Sequence, residues 1–203
     1  MADPVLAIRR TLEKEGKYSD HPKDPGGETV WGIARKKNPA WEYWPQWDRL
    51  KARLGTAKAA DEAEVLKAVG LWYETEPTGP WVQIRGAYIT SQWIADELFD
   101  TATNTGAGVA AGFLQRTLNA LNRSDLGAGQ LWEQLEVKGG IGPKTLAALR
   151  TALTRGFGPT IWQYLNALQG AFYISLAEKD PRFEAFVRGW ALRVFERNLS
   201  EFR

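Results

Sequence analysis

The sequence lacks cysteine altogether and contains a single histidine, and these two absences remove several kinds of chemistry. Without cysteine there is no disulfide framework, no thiol nucleophile and no cysteine-based zinc site. One histidine, His21, cannot supply a cluster of imidazole ligands. The composition therefore argues against cysteine catalysis and against a bound metal ion.

The chain also has little net charge and no long apolar run. Its 26 basic and 24 acidic side chains give a net charge of +2, too small a surplus to indicate nucleic-acid binding. No stretch approaches the roughly 18 apolar residues of a membrane-spanning helix, and the N-terminus shows no basic segment followed by an apolar run. We therefore expect synthesis in the cytoplasm without a recognisable signal peptide, no stable membrane insertion and no nucleic-acid partner.

Helical periodicity is what the sequence has in abundance. Asp3 and Pro4 form a good helix start, and Gly16 is expected to end that first helix. Gly or Pro stands at most junctions of the later helical patterns, which cover residues 61–76, 90–104, 108–122, 143–155, 159–179 and 181–199. The pattern predicts a mainly α fold.

The stretch between the first helix and residue 61 is less regular. Residues 17–28 are rich in Gly, Pro, Asp and Lys, which predicts a loop or short hairpin. A second helix is predicted to begin near Thr29 and to close at Asn38-Pro39. Residues 40–60 predict an irregular connection, in which the tryptophans at three-residue spacing, Trp41, Trp44 and Trp47, are expected to pack together.

Glu15 occupies an unusual position on the predicted first helix. At 100° per residue it falls with Val5, Ile8 and Leu12 within an arc of roughly 80°, so its carboxyl group continues the apolar stripe. The negative end of the helix dipole and the loss of hydration both favour the protonated acid. A general acid must hold a proton near neutral pH. On position alone, however, a glutamate beside a terminating glycine is more often a solvated helix end.

The segment that starts at Glu15 resembles a known family signature. Residues 15–34 read EGKYSDHPKDPGGETVWGIA, and they resemble the pattern Glu-Gly-Gly-Tyr followed by Asp-x-Gly-Gly-x-Thr-x-x-Gly-Ile of the glycoside hydrolase family 108 lysozymes. Lys17 replaces the usual glycine, and Asp20 stands where the family often has asparagine. We expect Lys17 to change loop detail more than mechanism.

This resemblance implies roles for individual residues. Glu15 takes the place of the essential glutamate, and Tyr18, Asp24 and Thr29 match further motif positions. Asp24 and Thr29 are expected to lie opposite Glu15 and to orient a water molecule, while Tyr18 and Asp20 contact the substrate. The second carboxyl group is Asp24, Asp20 or none, with Asp24 preferred. Retaining and inverting outcomes stay open, because they depend on a distance between carboxyl groups that a sequence does not contain.

Later segments extend the resemblance. Residues 98–106, with Asn104, resemble the family's Phe-Asp-x-Ala-x-Asn-x-Gly segment, so Asn104 either binds an acetamido group or hydroxyl of the sugar or simply ends a helix. Residues 114–121 and 139–149 resemble a peptidoglycan-binding helical pattern, although packing alone explains most of their apolar positions. The expected regions are a lysozyme-like catalytic region over 1–109 and a helical peptidoglycan-binding-like region over 110–203, either separate or integrated into one compact domain.

The resemblance as a whole implies a lysozyme-like helical fold with a short hairpin or loop after the first helix. It implies an endolysin-type N-acetylmuramidase that cleaves the β-1,4 bond between N-acetylmuramic acid and N-acetylglucosamine, with Glu15 as general acid and with no cofactor or metal. The expected partner of this monomer is the glycan strand of peptidoglycan, reached in the periplasm or outside the cell with the help of a holin or export system. The alternatives are a catalytically silent wall-binding or secretion-accessory protein and a chitinase-like hydrolase.

Overall fold

The fold is mainly helical, which confirms the expected class. The computed structural model describes residues 1–12, 17–20, 27–122 and 129–195. Within these ranges two short 3₁₀ turns, Gly86–Tyr88 and Pro181–Phe183, accompany the α-helices. The helices of the described residues are α1 Pro4–Leu12, α2 Trp44–Leu54, α3 Thr56–Ala60, α4 Ala63–Thr75, α5 Pro80–Gln83, α6 Gln92–Thr105, α7 Ala107–Leu121, α8 Pro143–Thr154, α9 Gly158–Lys179 and α10 Glu184–Phe195.

A small antiparallel sheet stands where the sequence predicted a second helix. Its strands are β1 Tyr18–Ser19, β2 Thr29–Val30 and β3 Ile33–Ala34, in that order across the sheet. The prediction of a helix from Thr29 is therefore wrong. Trp31 and Gly32, with φ of 45° and 79°, form a two-residue turn between β2 and β3, and such left-handed turns match the twist of a hairpin.

Trp31 fixes this hairpin to the helices. A left-handed conformation costs a residue with a side chain roughly 1–2 kcal/mol. Burial of the whole indole opposes that cost, since Trp31 is 0% exposed and its Nε1 donates a 2.8 Å hydrogen bond to the carbonyl oxygen of Ala60. The Tyr73 hydroxyl donates in turn to the Trp31 carbonyl oxygen at 3.0 Å. The turn is thus held by side chains of the helical body.

The connection over residues 40–60 is also more regular than predicted, because it contains α2 and α3. Proline in the first turn of α2 suits a helix start, and the buried side chains of Trp44, Trp47 and Leu50 give the helix an apolar face. The expected packing of the tryptophans holds for Trp41 and Trp44, whose rings meet edge to face at 4.8 Å. Trp47 packs instead against the ring of Tyr18, at 5.7 Å between centroids.

The hydrophobic core is continuous across both parts of the chain. Helix α6 packs against α1 on one side and against α7 and α9 on the other, and α10 packs on α9. Phe99 of α6, Leu114 of α7 and Leu165 of α9 belong to one cluster of buried side chains. At the α1–α6 interface the Arg10 guanidinium binds the fully buried carboxylate of Asp96.

An extended segment over residues 129–142 lies along α7 and is held there by three amide side chains. Gln115, Asn119 and Asn122 follow one another at helical spacing, and each uses its amide oxygen and nitrogen on main-chain groups of the segment. Asn119, for example, donates 2.8 Å to the carbonyl oxygen of Leu135 and accepts 2.9 Å from its N–H. We call these three residues the amide ladder. Their main-chain partners are Trp132, Leu135, Lys138 and Gly140.

The helices of the described ranges do not include one with both the length and the apolar character that crossing a bilayer requires.

Candidate active site

The hairpin gathers three of the residues that the sequence singled out. Strand β1 pairs with β2 so that Tyr18 faces Val30 and Ser19 faces Thr29, and Asp20 follows directly after β1. Thr29 and Asp20 therefore flank the same end of the sheet. Glu15 and Asp24, the two predicted catalytic carboxyl residues, lie outside the described residues. The chain connects them to this sheet, Glu15 three residues before Tyr18 and Asp24 five before Thr29.

Tyr18 is held as a neutral phenol. Burial, together with the negative charges of Glu28 and Asp20 and hydrogen bonding to them, raises its pKa to about 12. A tyrosine in this state donates a hydrogen bond at any physiological pH and does not act as a base. Tyr18 is therefore suited to positioning a partner and not to proton abstraction.

Glu28 is a polar centre of the hairpin that sequence reasoning missed. Its Oε1 accepts hydrogen bonds from Lys51 Nζ at 2.5 Å and from Trp47 Nε1 at 3.0 Å, and Arg35 Nε lies 2.9 Å from its Oε2. Burial alone would raise the pKa of Glu28, but the bonds from Lys51 and Trp47 and the charge of Arg35 outweigh it and hold the pKa below its ordinary value. Glu28 is thus a structural carboxylate and a poor general acid.

Arg35 links Glu28 to helix α2. Its guanidinium forms two hydrogen bonds with Asp48, at 2.6 and 3.1 Å, and lies 4.3 Å from the ring of Trp44. The bond to Arg35 keeps the pKa of Asp48 below its ordinary value. We call Glu28, Arg35, Asp48 and Lys51 the hairpin ion network. Glu28 stands at a variable position of the signature, so the motif gave no reason to select it.

The other predicted residues near the hairpin have defined local roles. The Thr29 hydroxyl donates a 3.2 Å hydrogen bond to the carbonyl oxygen of Gly27, which leaves its oxygen able to accept from water. Asp20 is exposed. Lys17 pairs with Asp61 at 2.6 Å and lies 5.8 Å from the Trp31 ring, so the departure from glycine supplies an anchor to the helices.

Asn104 lies on another element, in the last turn of α6. It is exposed, and its amide donates to the carbonyl oxygen of Asp100 at 2.7 Å, a bond within the same helix. That bond agrees with the helix-end interpretation and leaves the sugar-binding interpretation a prediction. The described contacts do not join Asn104 to Tyr18, Asp20 or Thr29.

Asp100 itself joins α1, α6, α9 and α10 at one junction. Its carboxylate accepts from Arg193 Nε and from Gln169 Nε2, each at 3.0 Å. Arg193 also donates through Nη2 to the carbonyl oxygen of Thr11 at 3.2 Å, close to the C-terminal end of α1. Helices from the second half of the chain thus contact the helix that leads to Glu15.

The described part of the chain contains no group of three or more His, Cys, Asp or Glu residues arranged to hold a metal ion.

These features define a mainly helical fold with a small sheet after the first helix. Residues 8–106 match the family model described as glycosyl hydrolase 108, and residues 109–195 match the model described as a predicted peptidoglycan domain. The first region is therefore similar to glycosyl hydrolase family 108 and the second to the predicted peptidoglycan domain, which confirms the resemblance found in the sequence.

No curated protein matches the chain. A solved structure described as that of Brucella abortus SagA is 25% identical, with 96% of each chain covered and a TM-score of 0.47.

The two family matches support a peptidoglycan hydrolase. The first match supports glycoside hydrolase activity, and the second supports peptidoglycan as the partner and the cell wall as the place of action.

Proposed function

We propose that the protein is an N-acetylmuramidase, in which Glu15 protonates the oxygen of the β-1,4 bond between N-acetylmuramic acid and N-acetylglucosamine. The observation that supports this most is the register of β1 and β2. Pairing of Ser19 with Thr29 means that the segments bearing Glu15 and Asp24 both attach to the same small sheet. The family match over residues 8–106 includes all of these positions.

Proton transfer from a positioned acid contributes roughly 10²- to 10⁴-fold in rate. Asp24 is the proposed second carboxyl group, and Thr29 is proposed to hold the attacking water through its hydroxyl oxygen. Glu28 is unsuited to the acid role, because its pKa is lowered and its carboxylate is already bound by Lys51 and Trp47. This contrast supports Glu15 as the proposed acid of the signature.

Sugar contacts are proposed for Tyr18, Asp20 and Asn104. The Tyr18 O–H is hydrogen-bonded to the carboxylates of Glu28 and Asp20, so its oxygen can accept from a sugar hydroxyl, and Asp20 is exposed beside it and can also accept from a hydroxyl. Asn104 is the proposed partner of an acetamido group. Residues 1–109 and 110–203 are proposed to work as one body, since the shared core and the Asp100 junction join them.

The acid is tested by Glu15→Gln, with Glu13→Gln as the matched control on the same segment. We expect Glu15→Gln to lower the hydrolysis of purified sacculi by at least about a hundredfold, because the amide has no proton to transfer. Glu13→Gln is expected to keep the wild-type rate. Release of dye-labelled fragments gives the rates, and circular dichroism verifies folding.

Mass spectrometry of the released fragments identifies the bond. N-acetylmuramic acid at the new reducing end supports the proposal. N-acetylglucosamine there, or cleavage of chitin oligomers in preference to sacculi, would replace it with a different glycosidase. Sedimentation with sacculi without any hydrolysis would identify a silent wall-binding protein, and full activity of Glu15→Gln would remove the acid assignment.

Asp24→Asn tests the second carboxyl group in the same assay. We expect a large rate loss with unchanged sedimentation on sacculi. A wild-type rate would show that the reaction needs no carboxylate at this position.

A further inference from the structure

A groove on the second region lies between α7, α9 and the extended segment. It has a volume of about 390 Å³, within the range of small-ligand sites. Arg116, Thr117 and Ala120 line it from α7, Tyr164 and Leu168 from α9, and Val137 from the extended segment. The amide ladder holds that segment in place, so the groove is a fixed feature of the fold.

Arg116 brings a positive charge to the groove that no carboxylate of the described residues neutralises. The side chain is exposed, and the acidic residues of the extended segment are engaged elsewhere, Glu133 with Lys144 at 2.6 Å and Glu136 with Lys138 at 2.5 Å. A guanidinium offers paired donors whose geometry fits a carboxylate. The charge therefore favours an anionic ligand group.

Thr117 adds a second polar group with an unmet requirement. The residue is 2% exposed, and within the described ranges its hydroxyl has no hydrogen-bond partner. A buried hydroxyl without a partner costs free energy unless a ligand or water satisfies it. Asn119, which also lines the groove, is already bound to both main-chain groups of Leu135.

The remaining lining is apolar and accessible. Tyr164 is 50% and Val137 is 52% exposed, although both are large hydrophobic residues. With Leu168 and Ala120 they offer surface to methyl groups and to an extended backbone. A glycan with several hydroxyl groups would find few partners here, because beside Asn119 the polar groups of the lining are the Arg116 guanidinium and the hydroxyls of Thr117 and Tyr164.

We propose that this groove binds the short peptide stem of peptidoglycan, with Arg116 on a free carboxylate and with alanine methyl groups against Val137 and Leu168. The proposal rests on the proposed action on peptidoglycan and adds which part of the polymer the second region holds. Peptide stems carry both features that the lining calls for, free carboxylates and small apolar side chains. Recognition of the stem would hold the enzyme on wall material that still bears its peptides.

The proposal is tested by calorimetry with three probes on the full-length protein. The probes are a synthetic stem tetrapeptide of the sequence L-Ala, D-isoGlu, diaminopimelate and D-Ala, the same peptide with its carboxylates amidated, and chitotetraose. We expect Arg116→Gln to weaken binding of the tetrapeptide by roughly tenfold, the scale of one charge-assisted hydrogen bond. Arg155→Gln, an exposed arginine after α8, is the matched control and should change it less than twofold.

The amidated peptide tests whether the carboxylates of the stem are what Arg116 binds. The amidated peptide should bind wild type as weakly as the free peptide binds Arg116→Gln. Binding of the amidated peptide to Arg116→Gln should be only slightly weaker still. Equal binding of both peptides by wild type would overturn the proposal, as would an effect of Arg116→Gln on chitotetraose alone. Thr117→Val keeps the side-chain shape, and we expect it to lower tetrapeptide affinity several-fold without lowering the melting temperature.

Hydrolysis of peptide-free glycan strands separates this proposal from the proposed function. Arg116→Gln should cleave such strands at the wild-type rate and intact sacculi more slowly at low substrate concentration. If wild type cleaves the strands but no protein binds the tetrapeptide, the groove assignment fails and the muramidase stands. If wild type cleaves neither substrate, the muramidase proposal fails, and calorimetry still tests whether the groove binds the tetrapeptide.

Discussion

Two irregular segments of this molecule pack on helices, one through charged side chains and the other through uncharged amide side chains. The hairpin is held to α2 by the charged groups of the hairpin ion network, around the buried carboxylate of Glu28. The extended segment over 129–142 is held to α7 by the uncharged amide ladder. Ion pairs respond to pH and salt, whereas amide hydrogen bonds do not titrate. The difference predicts that acid weakens the first region before the second.

The difference also matches the role of each segment. Within the hairpin, burial and the charge of Glu28 raise the pKa of Tyr18, so the network affects the titration of a neighbouring group. The amide ladder only has to fix a main chain whose side chain at Val137 lines a groove. Both solutions satisfy polar groups, but only the charged one influences protonation nearby.

The largest effect is expected from the ladder. Asn119→Ala removes both hydrogen bonds to Leu135 and leaves its partly buried N–H and carbonyl groups without their partner. We expect the free energy of unfolding to fall by about 2–3 kcal/mol, because each such loss costs roughly 1–3 kcal/mol and water compensates part of it. Urea titration followed by circular dichroism measures the change.

Arg150→Ala, an exposed position on α8, is the control for this substitution and should change stability by less than about 0.5 kcal/mol. A similar small change for Asn119→Ala would show that the extended segment does not depend on the ladder.

A smaller effect is expected in the hairpin. Glu28→Gln removes the charge that faces Lys51 and Arg35 but keeps an oxygen that can accept from Trp47. Because these cations are about one-third exposed and are screened by solvent, we expect a loss of about 1–2 kcal/mol. The same urea titration at pH 7 gives the value, and Glu74→Gln on the exposed face of α4 serves as control. A loss as small as that of the control would mean that the hairpin ion network does not stabilise the fold.

The smallest effect is expected from acid. The pKa of Glu28 is lowered from an ordinary value of 4.5, and that of Asp48 from 3.8, so their stabilisation is present above these values and is lost as pH falls through and below them. The contribution of these two groups to the free energy of unfolding should be constant from pH 7 to about 5.5 and should decline below about 4.5. The decline should be shallower in Glu28→Gln and unchanged in Asn119→Ala. An equal acid slope in wild type and Glu28→Gln would contradict the comparison.

The long helices could be predicted from the sequence because their apolar residues repeat with helical period. Helices α4, α6, α7, α8 and α9 lie close to the predicted ranges. The turn between β2 and β3 could not, because it requires a left-handed tryptophan at position 31, a conformation that the burial of its indole among the helices stabilises. Helix α2 was not predicted, although its buried residues Trp44, Trp47 and Leu50 lie at three-residue spacing along one face.

The candidate site divides in the same way. Its motif residues, Tyr18 and Thr29, were found because a family pattern marks them, and the structure places both on one small sheet. Glu28 was missed because its importance comes from Lys51 on a distant helix, a pairing that is not visible along the chain. Tertiary charge networks leave no local sequence signal.

The contact between Arg193 and the carbonyl oxygen of Thr11 spans 182 positions of the chain, and it has a consequence for the order of folding. Contacts between such distant residues form late, because the loop between them must close first. During synthesis from the N-terminus, the C-terminal end of α1 contacts Arg193 only after α10 has been made. We therefore expect the C-terminal end of α1 to reach its final environment only after α10 has been made.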